Sequence, residues 1–296
     1  MQMKEKLTLE VDGVSVEISN PDKPLWQHPT ITKAEFLQKI ILLSPYLLPY
    51  CENRYLTTIR WPHGIDGSFF YQKNAPKPLP NFVQTAKLRG VNYVNLNSLS
   101  TLVWLGNLAC LEFHPSFHLI NETIPAEWII DIDPPQKNDP RLVEATLLVG
   151  ETLRELGIEA IPKTSGATGI QLYIPIEKRY TFIQLRSLGE FLARFLVQKH
   201  PTLFTMERLK KDRGRSIYID YLQHWPGKTL SAPYTTRAHP HAPVSTPLHW
   251  HELNDSFDPS NYNLSTIEAR LNEQGDLLGQ LPSQSLDDVL TWLEQR

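Results

Sequence analysis

Cysteine is nearly absent from this sequence. Among 296 residues only two are cysteines, Cys51 and Cys110, and they are far apart and outside any CxxC pair. This scarcity argues against a disulfide framework and against a zinc knuckle, and it favours a reducing compartment. A chain of this length in which 41% of residues are hydrophobic can bury a sizeable core without such cross-links.

Long hydrophobic runs are also missing. The sequence has no apolar stretch of membrane-spanning length, and its first thirteen residues alternate charged with apolar side chains instead of placing a basic start before an apolar run. Neither a membrane span nor a secretory signal is predicted. We therefore expect a soluble, cytoplasmic protein that has no membrane partner.

An excess of positive charge is lacking as well. Lys and Arg number 29 against 32 Asp and Glu, which gives a net charge of −3. A protein that relied on a strong overall positive field to bind nucleic acid would have the opposite balance. Any contact with nucleic acid must therefore be local. The sequence contains no internal repeat and no low-complexity tail.

Helix starts are marked by capping residues. Three longer helices are predicted to begin at Thr32, Asp139 and Thr181, because each of these residues precedes apolar side chains at helical spacing. Two shorter helices are predicted to begin near Ser265 and Ser285. Helices thus occur along the whole chain.

Runs rich in β-branched and aromatic residues lie between the helices and predict strands. These runs are 54–61, 67–72, 128–133, 169–176 and 215–222. Since strands and helices do not alternate as in a doubly wound sheet, we predict an α+β architecture. The segment 233–259, rich in His, Pro and Thr, is predicted to wrap the core as an extended surface segment.

Two aspartates separated by one residue are the most informative feature. Asp131 and Asp133 end a predicted strand just before Pro134 and Pro135, and side chains two residues apart on a strand point to the same face. Carboxylates that converge in this way can hold two divalent ions roughly 3.5–4 Å apart, the arrangement that serves phosphoryl transfer. The alternative is a solvated turn or edge strand, but the large apolar residues beside the aspartates would make their desolvation costly.

A third aspartate has a similar setting. Strand alternation places Asp220 on one face with Ser216 and Tyr218, while Ile217 and Ile219 face the other way. Asp220 can therefore complete a metal site with the first two aspartates.

A loop with two glycines follows a basic residue. Lys163, Ser165 and Gly166 begin it, and it leads into the predicted strand at Gly169. Its backbone amides, hydroxyls and lysine can face a triphosphate. The loop is not a Walker A motif, because it lacks GK[ST] and precedes a strand, and a plain hairpin loop stays open as the alternative.

Together, Asp-x-Asp, Ser-Gly-x-x-Gly and the later Asp resemble the archaeo-eukaryotic primase superfamily, and more specifically the polymerase module of bacterial DNA ligase D, which repairs double-strand breaks by end joining. The likeness extends from residue 20 to residue 247. Its matching segments are 20–26, 61–67, 69–73, 111–114, 131–134, 162–166, 218–223 and 232–237.

The resemblance implies a primase-like fold in which mixed and antiparallel sheets form a central catalytic cleft flanked by helices. Residues 1–296 would then be one catalytic domain, with an N-terminal lobe over 1–125, a nucleotide-binding lobe over 126–250 and a helical segment over 260–296.

The resemblance also implies roles for individual residues. Two Mn²⁺ or Mg²⁺ ions would be bound by Asp131, Asp133 and Asp220. Contacts with the incoming nucleotide are implied for His114, Lys163, Ser165, Gly166, Gln171, Gln223 and Arg237. Contacts with DNA, including a 5′-phosphate and a stacked base, are implied for Lys23, Lys33, Phe69, Phe70 and Lys73.

The sequence departs from the family pattern at two positions. Gln171 stands where the pattern SGxxGxH has a histidine of the triphosphate site, and His224 stands where asparagine is usual. Since glutamine carries no positive charge, we expect reduced nucleotide affinity or activity. The ligase and phosphoesterase modules of the multidomain protein are absent from this sequence, which indicates a stand-alone form or an excised domain.

The implied function is nucleotide addition to 3′ ends at DNA gaps or breaks, from NTP or dNTP with ribonucleotides preferred. Ku and a separate DNA ligase would be partners, and the location would be nucleoid-associated. Two alternatives stay open: a metal-dependent phosphodiesterase or nuclease that uses water as nucleophile, and a DNA-end-binding module that has lost turnover through Gln171.

A pair of histidines and a basic segment each fit more than one interpretation. His114 and His118 have the spacing of a metal-binding helix, but Pro115 between them predicts a loop. The basic cluster over 210–215 is consistent either with tracking of a template backbone or with a solvated turn.

Overall fold

A computed structural model describes residues 6–295 of the chain. These residues form two compact units. The first unit contains the described residues up to Ser116, together with Thr229–Ser245 and Ser260–Glu273. The second contains Phe117–Lys228, Thr246–Pro259 and the described residues from Gln274 onward. The chain returns to the first unit twice, and the expected single domain with lobes over 1–125 and 126–250 stays a prediction.

The first unit contains two hairpins and most of a five-stranded sheet. The hairpins pair β1 (Lys6–Val11) with β2 (Val14–Ser19) and β3 (Pro24–Gln27) with β4 (Thr30–Thr32). The sheet is built from β5 (Arg54–Arg60), β6 (Phe70–Gln72), β7 (Thr85–Leu88), β8 (Val91–Val94) and β9 (Cys110–Leu119). Its order is β6-β5-β8-β7, and β9 pairs with β5.

Two helices cover the core of this unit. Helix α1 (Lys33–Cys51) begins with the capping box expected at Thr32, and its apolar face is buried. Helix α2 (Leu99–Asn107) is capped by Ser98. A β-carbon on Gly106 of α2 would lie 2.6 Å from the side chain of Ile40. Glycine therefore allows the close approach of α2 to α1.

The second unit is organised around another five-stranded sheet. Its strands are β10 (Glu127–Asp133), β11 (Ile161–Thr164), β12 (Ile170–Pro175), β13 (Phe204–Thr205) and β14 (Ile217–Asp220). The order is β11-β12-β10-β14-β13, and neighbouring strands are antiparallel except for β13 and β14. Large apolar side chains of the central strand β10 are buried.

The remaining helices are α3 (Leu142–Glu155), α4 (Phe182–Lys199), α5 (Ile267–Gln274) and α6 (Asp287–Glu294). Thr181 caps α4 with the expected capping box. Helix α3 begins later than predicted, because Asp139 Oδ1 accepts a hydrogen bond from Arg141 N at 3.0 Å and closes a turn before the helix. The α+β architecture is confirmed. None of the described helices has both the length and the apolar character needed to cross a membrane.

The segment after residue 232 was wrongly expected at the surface. Much of it is irregular but buried, and Thr235, Ser245 and Thr246 are fully buried. The reason is that hydroxyls satisfy buried backbone groups. Thr235 Oγ1 accepts from Phe113 N at 2.9 Å, and Thr164 Oγ1 accepts from Thr246 N at 2.9 Å.

The prediction of a loop around Pro115 is also wrong, because Pro115 lies within strand β9. A proline fits there since its carbonyl still accepts a hydrogen bond, from Leu230 N at 3.3 Å. His118 is buried, with Nδ1 at 3.0 Å from Leu119 O.

Candidate active site

Three aspartates lie on one face of the sheet of the second unit. Asp131 on β10 is directly opposite Asp220 on β14, and Asp133, two residues further along β10, is opposite Tyr218. Directly opposed residues on antiparallel strands have neighbouring side chains on the same face. Residues that are remote in sequence are therefore brought together by strand pairing.

Two of the three aspartates, Asp131 and Asp133, have a raised pKa. Burial raises the pKa of Asp131 to about 8, and the charges of Asp133 and Asp220 add to the increase. Burial and the charge of Asp220 likewise raise the pKa of Asp133. Like charges in a partly buried site disfavour simultaneous ionisation. A bound cation would therefore favour the ionised form of these carboxylates.

A polar row continues on the other side of Asp131. Gln171 on β12 is opposite Asp131, and Lys163 on β11 is opposite Gln171. Lys163 Nζ donates to Gln171 Oε1 at 2.6 Å, while hydrogen bonding from Gln171 and the charge of Lys163 partly offset the increase in the pKa of Asp131. Both side chains are buried. They therefore support the carboxylates from behind, and their contact with a triphosphate stays a prediction.

The glycine loop folds back on Ser165. Ser165 Oγ accepts from Ala167 N at 3.1 Å and from Gly169 N at 3.0 Å. Gly166 has a φ of +70°, in the left-handed region that glycine favours. A β-carbon on Gly169 would lie only 2.5 Å from the carbonyl oxygen of Ile132. The loop therefore passes directly against β10 between its two aspartates.

The basic cluster over 210–215 places positive charge near Asp133. The charges of Arg213 and Lys210 oppose the increase in the pKa of Asp133. Arg213 lies over the ring of Tyr218 at 3.8 Å and donates through Nε to Glu207 O at 3.0 Å. Arg213 is thus held by local contacts beside the carboxylates.

Gln223 and His224 follow β14. His224 is a core residue: it is buried, its Nε2 lies 2.9 Å from Glu127 O, and its ring packs against Phe117 and Phe182. Gln223 is partly exposed in the turn after Asp220. Its contact with the nucleotide stays a prediction.

The donor set suits a hard divalent cation, because Mg²⁺ and Mn²⁺ prefer carboxylate oxygens. The side chains do not stand as a preformed cage. Within residues 6–295, no group of three or more His, Cys, Asp or Glu side chains has the arrangement needed to hold a metal ion. Strand pairing makes the carboxylates neighbours, and a cation would have to draw their oxygens closer together.

His114 and Arg237 belong to the first unit, where both contact Glu112. His114 Nε2 lies 2.8 Å from Glu112 Oε2, and Arg237 Nε donates to the same oxygen at 2.9 Å. Glu112 was not among the predicted site residues. The available signal was its place in the matching segment 111–114, two residues before His114.

The two N-terminal lysines differ in exposure. Lys23 is partly exposed and donates to Pro62 O. Lys33 is buried, and its Nζ donates to Ser19 O and lies 3.3 Å from Asn107 Oδ1. Burial, followed by the charge of Lys23, lowers the pKa of Lys33 to about 8. Lys33 thus points inward, and its contact with a DNA phosphate stays a prediction.

The buried Lys33 predicts a pH dependence of stability. Its folded pKa of about 8 lies below the ordinary value of 10.5, so ionisation is disfavoured in the native state. The full cost applies below the folded pKa and disappears as the pH rises towards the unfolded value. Relative to Lys33→Met, the wild type should gain about 1 kcal/mol of unfolding free energy between about pH 7 and 9, measured by urea denaturation. Parallel pH profiles of the two proteins would contradict this expectation.

Exposed aromatic side chains form a patch on the first unit. Phe69 is 53% exposed, Phe70 is 42% exposed and Tyr71 is 66% exposed. Phe69 stacks on Trp61 with ring centroids 5.1 Å apart, and Arg60 lies 5.2 Å from the ring of Phe70. Lys73 follows and is exposed. Exposed rings beside cations are suited to base stacking and phosphate contact.

Comparison with known proteins identifies the family. Residues 32–278 match the model of the LigD primase-polymerase domain. Since this match covers most of the chain, the protein belongs to the LigD primase-polymerase family.

Individual relatives agree with this assignment. The bifunctional non-homologous end joining protein LigD of Bacillus subtilis is 39% identical over 262 residues, covering 88% of this chain and 43% of that protein. The multifunctional non-homologous end joining protein LigD of Mycolicibacterium smegmatis is 30% identical, covering 93% of this chain and 37% of that protein. The chain thus spans about two fifths of the length of these relatives.

A solved structure matches the fold. The polymerase domain from Mycobacterium tuberculosis ligase D, in complex with DNA, superposes with a TM-score of 0.82 at 27% sequence identity. The match covers 90% of this chain and 97% of that chain. The primase-like fold is therefore confirmed.

Proposed function

We propose that this chain is a metal-dependent nucleotidyltransferase that adds nucleotides, preferentially ribonucleotides, to 3′ ends at DNA gaps or breaks. The observation that carries the proposal is the register of β10 and β14, which places Asp131, Asp133 and Asp220 on one face. Membership of the LigD primase-polymerase family supports the same reaction.

The reaction transfers a nucleotidyl group. The 3′-hydroxyl of a primer attacks the α-phosphorus of a bound triphosphate, a new phosphodiester bond forms, and pyrophosphate leaves with the electrons of the broken bond. Two Mn²⁺ or Mg²⁺ ions would supply charge neutralisation and would favour loss of the hydroxyl proton. Asp131, Asp133 and Asp220 would hold these ions.

The remaining residues would position the substrates. His114, Ser165 and Arg237 would contact the nucleotide, and Lys163 with Gln171 would keep Asp131 oriented from within the sheet. Transfer of this kind depends mainly on positioning and on stabilising charge. A rigid sheet is a suitable platform for both.

Binding of DNA would be local, as the net charge requires. The exposed aromatic patch around Phe69 and Phe70, with Lys73, would stack on a base and contact the backbone. Lys23, which is partly exposed, would face a 5′-phosphate, and the buried Lys33 would have to turn outward to join it. The solved relative that contains DNA supports a DNA substrate. In the cell we propose Ku and a separate DNA ligase as partners in end joining, near the nucleoid.

A primer extension assay tests the proposal. The protein is incubated with Mn²⁺ or Mg²⁺ and a labelled primer on a gapped, 5′-phosphorylated DNA, with and without ribo- or deoxyribonucleoside triphosphates. We expect lengthening that requires both metal and triphosphate, and faster lengthening with ribonucleotides. Shortening without lengthening would instead identify a phosphodiesterase.

A Gln171→His variant, assayed beside the wild type, separates the remaining alternative. If glutamine had abolished turnover, the wild type would bind DNA ends without extending them and the histidine variant would recover extension. We expect the wild type itself to extend, because Gln171 still bridges Lys163 and Asp131.

A further inference from the structure

The predicted nucleotide contacts of the first unit share one buried carboxylate. Glu112 is only 3% exposed. Its Oε2 lies 2.8 Å from His114 Nε2 and accepts from Arg237 Nε at 2.9 Å, while its Oε1 accepts from Ala238 N at 3.0 Å. Both oxygens are therefore engaged, and Glu112 joins strand β9 to the segment that carries Arg237.

We propose that Glu112 is a positioning residue that fixes the side chains of His114 and Arg237 for nucleotide binding. The inference rests on the proposed function, because it takes both residues as nucleotide contacts. Glu112 itself would act through them and would not touch the substrate.

The geometry favours this role over a general structural one. Glu112 and His114 are two residues apart on β9, so their side chains share a face and the imidazole is held by a neighbour on its own strand. Arg237 donates through Nε, so Glu112 holds the guanidinium from its side. A charged hydrogen bond of this kind is short and directional.

Charge supports the same reading. Burial alone would raise the pKa of Glu112, but the hydrogen bond from His114, the charges of Arg237 and His114, and the amide of Ala238 together lower it to about 2. Glu112 is therefore ionised throughout the neutral range. A fixed carboxylate beside an imidazole stabilises the protonated ring and determines which nitrogen carries a proton.

The test measures nucleotide binding apart from catalysis. Binding of a fluorescent ATP analogue to the full chain, in buffer with Mn²⁺ and without DNA, is followed by fluorescence anisotropy for wild type, Glu112→Gln and Glu112→Asp. We expect Glu112→Gln to weaken binding by about tenfold or more, as loss of hydrogen bonds to charged groups implies. Glu112→Asp keeps the charge but is one methylene shorter, so it should lose less.

Two further measurements distinguish positioning from folding. Extension kinetics of Glu112→Gln should show a raised KM for the triphosphate with a nearly unchanged kcat. In a double-mutant cycle with Arg237→Lys, the two effects should not add, because both changes disrupt the same contact. Glu52→Gln, an exposed glutamate of the first unit, is the matched control and should behave as wild type.

The possible results distinguish failure of the proposed function from failure of the role proposed for Glu112. Absence of triphosphate binding and of extension in the wild type would overturn the proposed function itself. If the wild type binds triphosphate and Glu112→Gln has the same affinity and the same KM, only the role of Glu112 is overturned. Fully additive effects in the double-mutant cycle would overturn that role as well. If Glu112→Gln does not fold, the same measurements are made on Glu112→Asp. Wild-type affinity for the ATP analogue in Glu112→Asp would then overturn the role of Glu112.

Discussion

Replacing Asp131 with asparagine should abolish primer extension and at the same time stabilise the metal-free protein. Burial and the neighbouring carboxylates hold the pKa of Asp131 at about 8, well above the ordinary value of 3.8. As the pH rises above the unfolded pKa, the unfolded state ionises first, so the residue lowers native stability progressively until the folded pKa is passed. The neutral asparagine removes this cost.

The expected magnitudes at about pH 7 have opposite signs for activity and stability. The free energy of unfolding in EDTA should rise by about 2 kcal/mol, less than the full shift implies because Asp131 is partly open to solvent. Extension should fall by about a thousandfold or more, since a carboxylate proposed to hold the metal ions is lost. Thermal denaturation in EDTA and in Mn²⁺, together with the extension assay, measures all of these effects.

A matched variant controls for the change of residue type. Asp288→Asn alters an exposed aspartate in the first turn of α6, in the same unit. We expect Mn²⁺ to raise the Tm of the wild type. Asp288→Asn should keep this rise and normal extension, whereas Asp131→Asn should lose the rise. Normal extension by Asp131→Asn would remove Asp131 from the proposed metal site.

Local sequence patterns predicted much of the fold. The capping boxes at Thr32 and Thr181 mark helix starts because both partners of the hydrogen bonds lie within one turn. The aspartates of β10 share a face because side chains alternate along any strand. That Asp220 joins them depends on strand pairing, which the resemblance implied and alternation alone did not.

Features that depend on distant contacts were not predicted. The burial of Lys33 follows from Asn107 and Ser19, which are brought to it by the fold. The contact of Glu112 with Arg237 joins residues 125 positions apart. The return of Thr229–Ser245 to the first unit has no local signal, because its threonines and serines look like surface residues until their buried hydrogen bonds are known.

Changing Gly169 to alanine should disrupt the carboxylate site without altering any of its charged groups. The added β-carbon would lie 2.5 Å from Ile132 O, a backbone atom that cannot move without displacing β10. It would also lie 3.5 Å from Asp133 Oδ1. Since Ile132 is flanked by Asp131 and Asp133, separation of the loop from the strand would shift both carboxylates.

We expect Gly169→Ala to lower the free energy of unfolding by about 3 kcal/mol, the upper range for overpacking. Extension by the folded fraction should fall by about a hundredfold, as expected for a displacement of about 1 Å at a catalytic group. Gly275→Ala is the matched control: Gly275 has a φ of +65° and no neighbour within 4 Å of an added β-carbon. That control should lose about 1 kcal/mol from backbone strain and keep full extension. If Gly169→Ala were as stable and as active as this control, close contact between the glycine loop and β10 would not be what fixes the positions of the carboxylates.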